Sequence, residues 1–272
     1  MPRVPPPEFA LAHSLLALRD GTVFSSAAVS PLFIPWDFLL VLLFLVVIVP
    51  WRGARRMRRL LAKPELTSRD RISLYASTIL LQWLILAVVA VVCARRSVGP
   101  DELGLAAVDP WRIAWVTVAL TGIFCMNQVF GIRKITSLPP AKRGSLFAIS
   151  EKIMPRNRIE SLAYAALACT AGVSEEFIYR GFVFMAFLRM AVNYGSPNGI
   201  AAVLSSVWFS LAHLYQGRRG IITTFVVGMV FALVRIWAAS LIPAVVAHAG
   251  MDLTIGICAS KFLRKTTEQN AI

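Results

Sequence analysis

A chain of 272 residues that is 57% hydrophobic and only 15% charged, with a mean hydropathy of +0.69, is not an ordinary soluble domain; such a domain carries about a quarter charged residues. The formal net charge is +14, but the Lys and Arg sit in short stretches between apolar runs. That is the positive-inside distribution of membrane proteins, and it excludes nucleic acid as the partner.

The apolar runs are about twenty residues long, enough to cross a hydrocarbon core of roughly 30 Å. In lipid the backbone must satisfy its own hydrogen bonds, so these runs are expected to be helices. The predicted fold is all-α, a polytopic transmembrane helix bundle of seven or eight spans in an integral, multi-pass membrane protein. Residues 1–31 form an N-terminal tail in which Phe9–Leu18 is too short to span and suits the interface, with His13 there as an interfacial residue. The first span is Leu32–Val49, with Trp36 near one end and Trp51 near the other as interfacial anchors. A basic loop, Arg52–Arg71, follows with eight Lys/Arg against two acids. The second span is Ile72–Cys93 and the third Ile113–Gly131; between them, Ala94–Arg112 balances three Arg with three acids. A second basic loop, Ile132–Glu160, holds seven Lys/Arg and two acids, with Pro139 and Pro140 as helix breakers. The spans before residue 161 and their loops make up a 32–160 region.

Residues 161–258 form the polar-bearing core. Ser161–Met190 is helical in pattern but carries Gly172, Ser174, Glu175, Glu176 and Arg180; Asn193–Asn198 is a turn by composition. Gly199–Leu214, Gly220–Trp237 and Leu241–Cys258 complete the set, and residues 259–272 are a basic tail with Lys261, Arg264 and Lys265. Seven crossings place both basic loops, the Arg218/Arg219 turn and the tail in the cytoplasm. An eighth arises only if Ser161–Met190 folds as a hairpin of half-length helices, which breaks that charge agreement. Cys93, Cys125, Cys169 and Cys258 lie in or at the ends of apolar stretches without CxxC spacing, and read as small packing residues.

An ionisable group in mid-span costs about 2.5–3.5 kcal/mol on insertion scales, so it needs a partner or a task. Three clusters on three helices meet that description: Glu175, Glu176 and Arg180; His213; and His248 with Asp252. Glu176 and Arg180 are i,i+4 and can pair on one helix face, which leaves Glu175, about 100° round, to point elsewhere. His248 and Asp252 are also i,i+4, so the carboxylate is expected to take the imidazole Nδ1–H and leave Nε2 for work. Phe209, one turn before His213, can wall that ring. Packing can account for any one of these clusters alone, but not readily for all three together.

The ordered set Glu-Glu-x-x-x-Arg at 175–180, Phe-x-x-x-His at 209–213 and His-x-x-x-Asp at 248–252 resembles the three motifs of the CAAX protease and bacteriocin-processing (CPBP, or ABI) family of intramembrane endopeptidases. Gly181 after the first motif and Ser240-Leu-Ile-Pro-Ala before the third fit as well. The resemblance covers about Ser161 to Ile257. It implies that Glu175 activates the attacking water, that Glu176 and Arg180 support it, and that His213 and His248 bind the water or stabilise the oxyanion. Asp252 stands where prenyl-protease members commonly carry Asn, a departure that weakens any inference to prenylated substrates. Tyr179 stands where Phe is frequent.

Hydrolysis of a peptide bond needs a nucleophilic water, a base and donors to the oxyanion, and this set supplies all three. No Ser or Cys lies in an evident nucleophile arrangement. Glu175, His213 and His248 are also a zinc-ligand set, but HExxH is absent, so the favoured reading requires no metal while zinc stays open. The expected partners are a protein or peptide substrate in or near the membrane and the bilayer itself. Two rivals remain: a transporter with a Glu/His/Arg relay, and a non-catalytic immunity or scaffold protein. The paired repeats of many transporters are not visible.

Overall fold

The computed structural model describes residues 34–106, 109–139 and 142–269, without side chains at 144–146 and 259–269. The interfacial piece Phe9–Leu18 and His13 lie outside the described residues, as do the side chains of Lys261, Arg264 and Lys265. Among the described residues every regular element is a helix. In chain order they are α1 (Trp36–Leu61), α2 (Ser68–Arg95), α3 (Pro110–Thr136), α4 (Gly144–Ile153), α5 (Arg158–Glu175), α6 (Phe184–Met190), α7 (Pro197–Ala212), α8 (Gly217–Ala238) and α9 (Ile242–Gln269). π-helical turns interrupt α1 at Phe44–Ile48 and join α5 to α6 at Glu176–Val183.

The helix starts are written locally. Thr67 and Asp70 form a reciprocal capping box at α2. Asp109 caps α3, with Pro110 in its first turn, and Asn157 caps α5. These side chains satisfy amides that the helix itself leaves unpaired. Ala239, at φ 50°, ends α8 in the left-handed region, and the Leu241 amide then donates to the Gly104 carbonyl at 2.8 Å.

Helices occupy all seven expected segments. α1, α2, α3 and Leu214–Ala238 are long and apolar enough to cross a membrane, and α7 and Ile242–Cys258 are shorter apolar helices. The chain is a polytopic, all-helical integral membrane protein. Its outward residues fit lipid: Trp111, Val118 and Leu80 are 84%, 74% and 71% exposed. Residues 158–190 run on without a turn, so the half-helix hairpin that would add an eighth crossing does not form.

The two basic loops need correction. Arg52–Leu61 continues the helix of α1, leaving only residues 62–67 as a connection, and the second loop holds α4. Arg is a good helix former and no proline follows Pro50 until Pro64, so the charges project from a helical extension.

α2 packs along α5, and α9 packs along both α3 and α5. Where α2 and α5 begin, Arg71 Nε and Nη2 clamp the two Glu160 oxygens at 2.7 and 3.0 Å, with both side chains buried. The core lies deeper, where Phe38 and Leu45 of α1 meet Phe182, Phe184 and Met185; Phe38 and Phe182 stack edge to face at 5.1 Å. Gly172 allows the close approach of α5 to α9: a Cβ there would lie 2.8 Å from the Val245 carbonyl oxygen and 2.9 Å from the Ala249 Cβ.

Candidate active site

Polar side chains from four helical stretches meet inside the bundle. α5 and its π-helical continuation supply Glu175, Glu176 and Arg180; His213 caps the C-terminal end of α7; His248 and Asp252 lie on α9; and Gln82 comes from α2. The widened turns begin at Glu176, and such π segments recur at functional sites because they re-aim side chains.

Glu176 is the hub. It is fully buried, and its Oε1 lies 2.8 Å from Arg180 Nη1 and 2.7 Å from His248 Nδ1. The Arg180 guanidinium lies 4.1 Å from the ring centre of Phe209 and 5.5 Å from that of Phe231. A cation held against aromatic faces away from water gains about 2 kcal/mol, which partly offsets its burial. Phe209 also contacts both imidazoles, at 4.7 Å from His213 and 6.1 Å from His248 between ring centres.

Each histidine's acceptor fixes its tautomer. Glu176 Oε1 accepts from Arg180 Nη1 and lies 2.7 Å from His248 Nδ1, so that ring nitrogen is assigned as the donor. His213 Nδ1 lies 2.9 Å from the Phe209 carbonyl oxygen, which can only accept. In the neutral rings both Nε2 atoms are therefore bare. Both lie 3.9 Å from one atom, Glu175 Oε2. That oxygen is buried and receives no hydrogen bond from a described residue, while Oε1 accepts from Gln82 Nε2 at 2.7 Å.

One sequence expectation changes. Asp252 does not take the His248 Nδ1–H; Glu176, arriving from another helix, does. The Asp252 carboxylate lies on the other side of the ring, 3.8 Å from Nε2. Helical spacing put Asp252 on the correct face but could not tell which ring edge it meets. Gln82 and Phe231 were not anticipated. Gln82 did leave a signal, as the one amide or ionisable side chain between Ile79 and Cys93.

Ligands about 2.0–2.1 Å from a tetrahedral zinc stand roughly 3.3 Å apart, closer than Glu175 Oε2 is to either Nε2. Among the described residues no group of three His, Cys, Asp or Glu side chains could hold a metal ion.

Residues 158–254 match the family model described as type II CAAX prenyl endopeptidase Rce1-like. The match supports the resemblance of this segment to the CPBP family. It covers a little over a third of the chain and contains Glu175, Glu176, Arg180, His213, His248 and Asp252, whereas Gln82 lies outside it. The model matched is, by its description, one of endopeptidases. No curated protein and no solved structure matches the chain.

Proposed function

We propose that this protein is an intramembrane endopeptidase of the CAAX protease type, in which Glu175 activates water against a peptide bond of a substrate in or near the bilayer. The observation that carries the proposal is the meeting of Glu175 Oε2 with both Nε2 atoms at 3.9 Å. Atoms that far apart can share a water at ordinary hydrogen-bond distance from each, about 2.8 Å.

In the proposed reaction the water gives one proton to Glu175 Oε2 as its oxygen attacks the scissile carbonyl carbon. The second proton is oriented by an Nε2 lone pair. A tetrahedral oxyanion forms. A histidine carrying a proton on Nε2 donates to it, and His248 is placed for this because an imidazolium there has Glu176 on Nδ1 and Asp252 3.8 Å from Nε2. The C–N bond then breaks, and Glu175 returns its proton to the leaving nitrogen. The base and the oxyanion donor stand on different helices, so the fold must hold both. Glu176 does this for the donor by taking the His248 Nδ1–H, and Arg180 holds Glu176 in place.

The test is a comparison of new peptide N-termini in membranes from cells carrying the wild type or Glu175→Ala. Fragments present with the wild type, absent with the variant and unaffected by a chelator support the proposal. No wild-type-specific fragments would favour the transport or scaffold readings, and loss of fragments on chelation would favour zinc.

A further inference from the structure

We infer that Gln82 is a positioning residue for Glu175, and that the helices before the CPBP segment thereby complete its site. The inference rests on the proposed role of Glu175 as the base. Gln82 Nε2 donates to Glu175 Oε1 at 2.7 Å. Its partner oxygen, Oε2, is the one turned to His213 and His248. A carboxylate's terminal torsion is broad and two-fold, so nothing in a glutamate itself fixes the plane in which an oxygen faces the histidines. One hydrogen bond from Gln82 to the other oxygen fixes that plane. A bound geometry off by about 1 Å costs on the order of a hundredfold in rate, so an anchor of this kind has kinetic value.

Three further observations support the assignment. Gln82 is the one amide or ionisable side chain in the long apolar stretch from Ile79 to Val92, where a polar group needs a partner. Its Oε1 is buried and receives no hydrogen bond from a described residue, so the amide is committed to Glu175 through its nitrogen. The same two helices are also locked at their start by the buried Arg71–Glu160 clamp. That clamp already supplies a polar tie between α2 and α5, so Gln82 is not needed for adhesion alone. A helix-adhesion role would appear as lost stability; a positioning role appears as lost rate in a protein of normal stability.

The test uses the full chain reconstituted in liposomes with solubilised host membrane proteins. It reads new peptide N-termini per folded molecule, the thermal midpoint, and the infrared carboxylate band of Glu175, isolated as the difference between wild type and Glu175→Gln. Gln82→Met keeps the volume and removes the amide. The expected result is a ten- to hundredfold lower rate, as for other groups that orient a reacting side chain, with an unchanged midpoint and a shifted Glu175 band. Gln82→His, which restores an N–H donor, is expected to recover part of the rate and is the variant to use if Gln82→Met does not fold. Wild-type rate in Gln82→Met, or an unmoved Glu175 band, overturns the inference while leaving the proposed base in place. Wild-type rate in Glu175→Gln removes the proposed base and the inference with it. If the wild type releases no fragments, the peptidase reading fails and the band alone decides whether Gln82 orients Glu175.

Discussion

Arg180→Met is expected to cost the protein a large share of its stability by breaking the Glu176 hub. Arg180 is fully buried, and its Nη1 lies 2.8 Å from a Glu176 that is itself fully buried. Removing the cation leaves that carboxylate with His248 as its remaining hydrogen-bond partner among the described residues. Breaking a buried pair in this way costs about 3–5 kcal/mol, and losing the contact with Phe209 adds about 1–2 kcal/mol. Against a typical total of about 5–15 kcal/mol this is severe, and it corresponds to roughly 10 °C or more in thermal midpoint. Adding Glu176→Gln to Arg180→Met should recover much of the loss. The buried charge is then gone, and the new amide carbonyl still accepts the His248 Nδ1–H. Thermal unfolding in detergent of the wild type, the single variant and the double variant provides the comparison. A wild-type midpoint for Arg180→Met, or a double variant no more stable than the single, would refute the hub argument.

His213→Ala and His248→Ala should each lower cleavage by about 10²–10³-fold, the scale of a lost oxyanion or water contact, while the folded yield stays near wild type in size-exclusion profiles. Asp252→Asn should be milder in the same assay, because Glu176, not Asp252, holds His248 Nδ1. Gly172→Leu should destabilise the fold by about 1–3 kcal/mol in a thermal scan, since even a Cβ there meets the Val245 carbonyl oxygen at 2.8 Å. Glu160 sits in the first turn of α5, before the apolar run. Burial raises its carboxyl, but the Arg71 pair and the Arg156 amide outweigh this and hold it at about 2. Its folded value is thus below the ordinary one of about 4.3. The stability it contributes is therefore present above about pH 4.3 and lost as pH falls toward 2, and acid unfolding of Glu160→Gln should lack that component. Arg59→Cys and Lys142→Cys should label with impermeant maleimide from the cytoplasmic face, and labelling from the outer face alone would contradict the charge-based orientation.

Much of this architecture is legible in one dimension because the bilayer simplifies the problem. Apolar length alone places the seven segments, and the Thr67, Asp109 and Asn157 caps mark where three of the helices begin. The boundary errors came where lipid no longer constrains the chain, as in Arg52–Leu61, which continues α1 as a helix beyond the apolar run. Within the site, i,i+4 spacing revealed the Glu176–Arg180 pair, because both partners share a helix. It could not reveal the Glu176–His248 bond, which joins residues 72 positions apart. The same holds for Gln82 and Arg71, whose partners lie 93 and 89 positions away. An unaccompanied polar residue in a span signals that a partner exists but not which helix supplies it.

The most direct measurement is the rate at which purified, reconstituted Glu175→Gln releases new peptide N-termini from membrane proteins, beside the wild type at equal folded amount. Gln preserves the shape of the side chain but cannot accept the water's proton. Release by the wild type with none above background from Glu175→Gln is the predicted result. Equal release from the two proteins would contradict a glutamate base at this site.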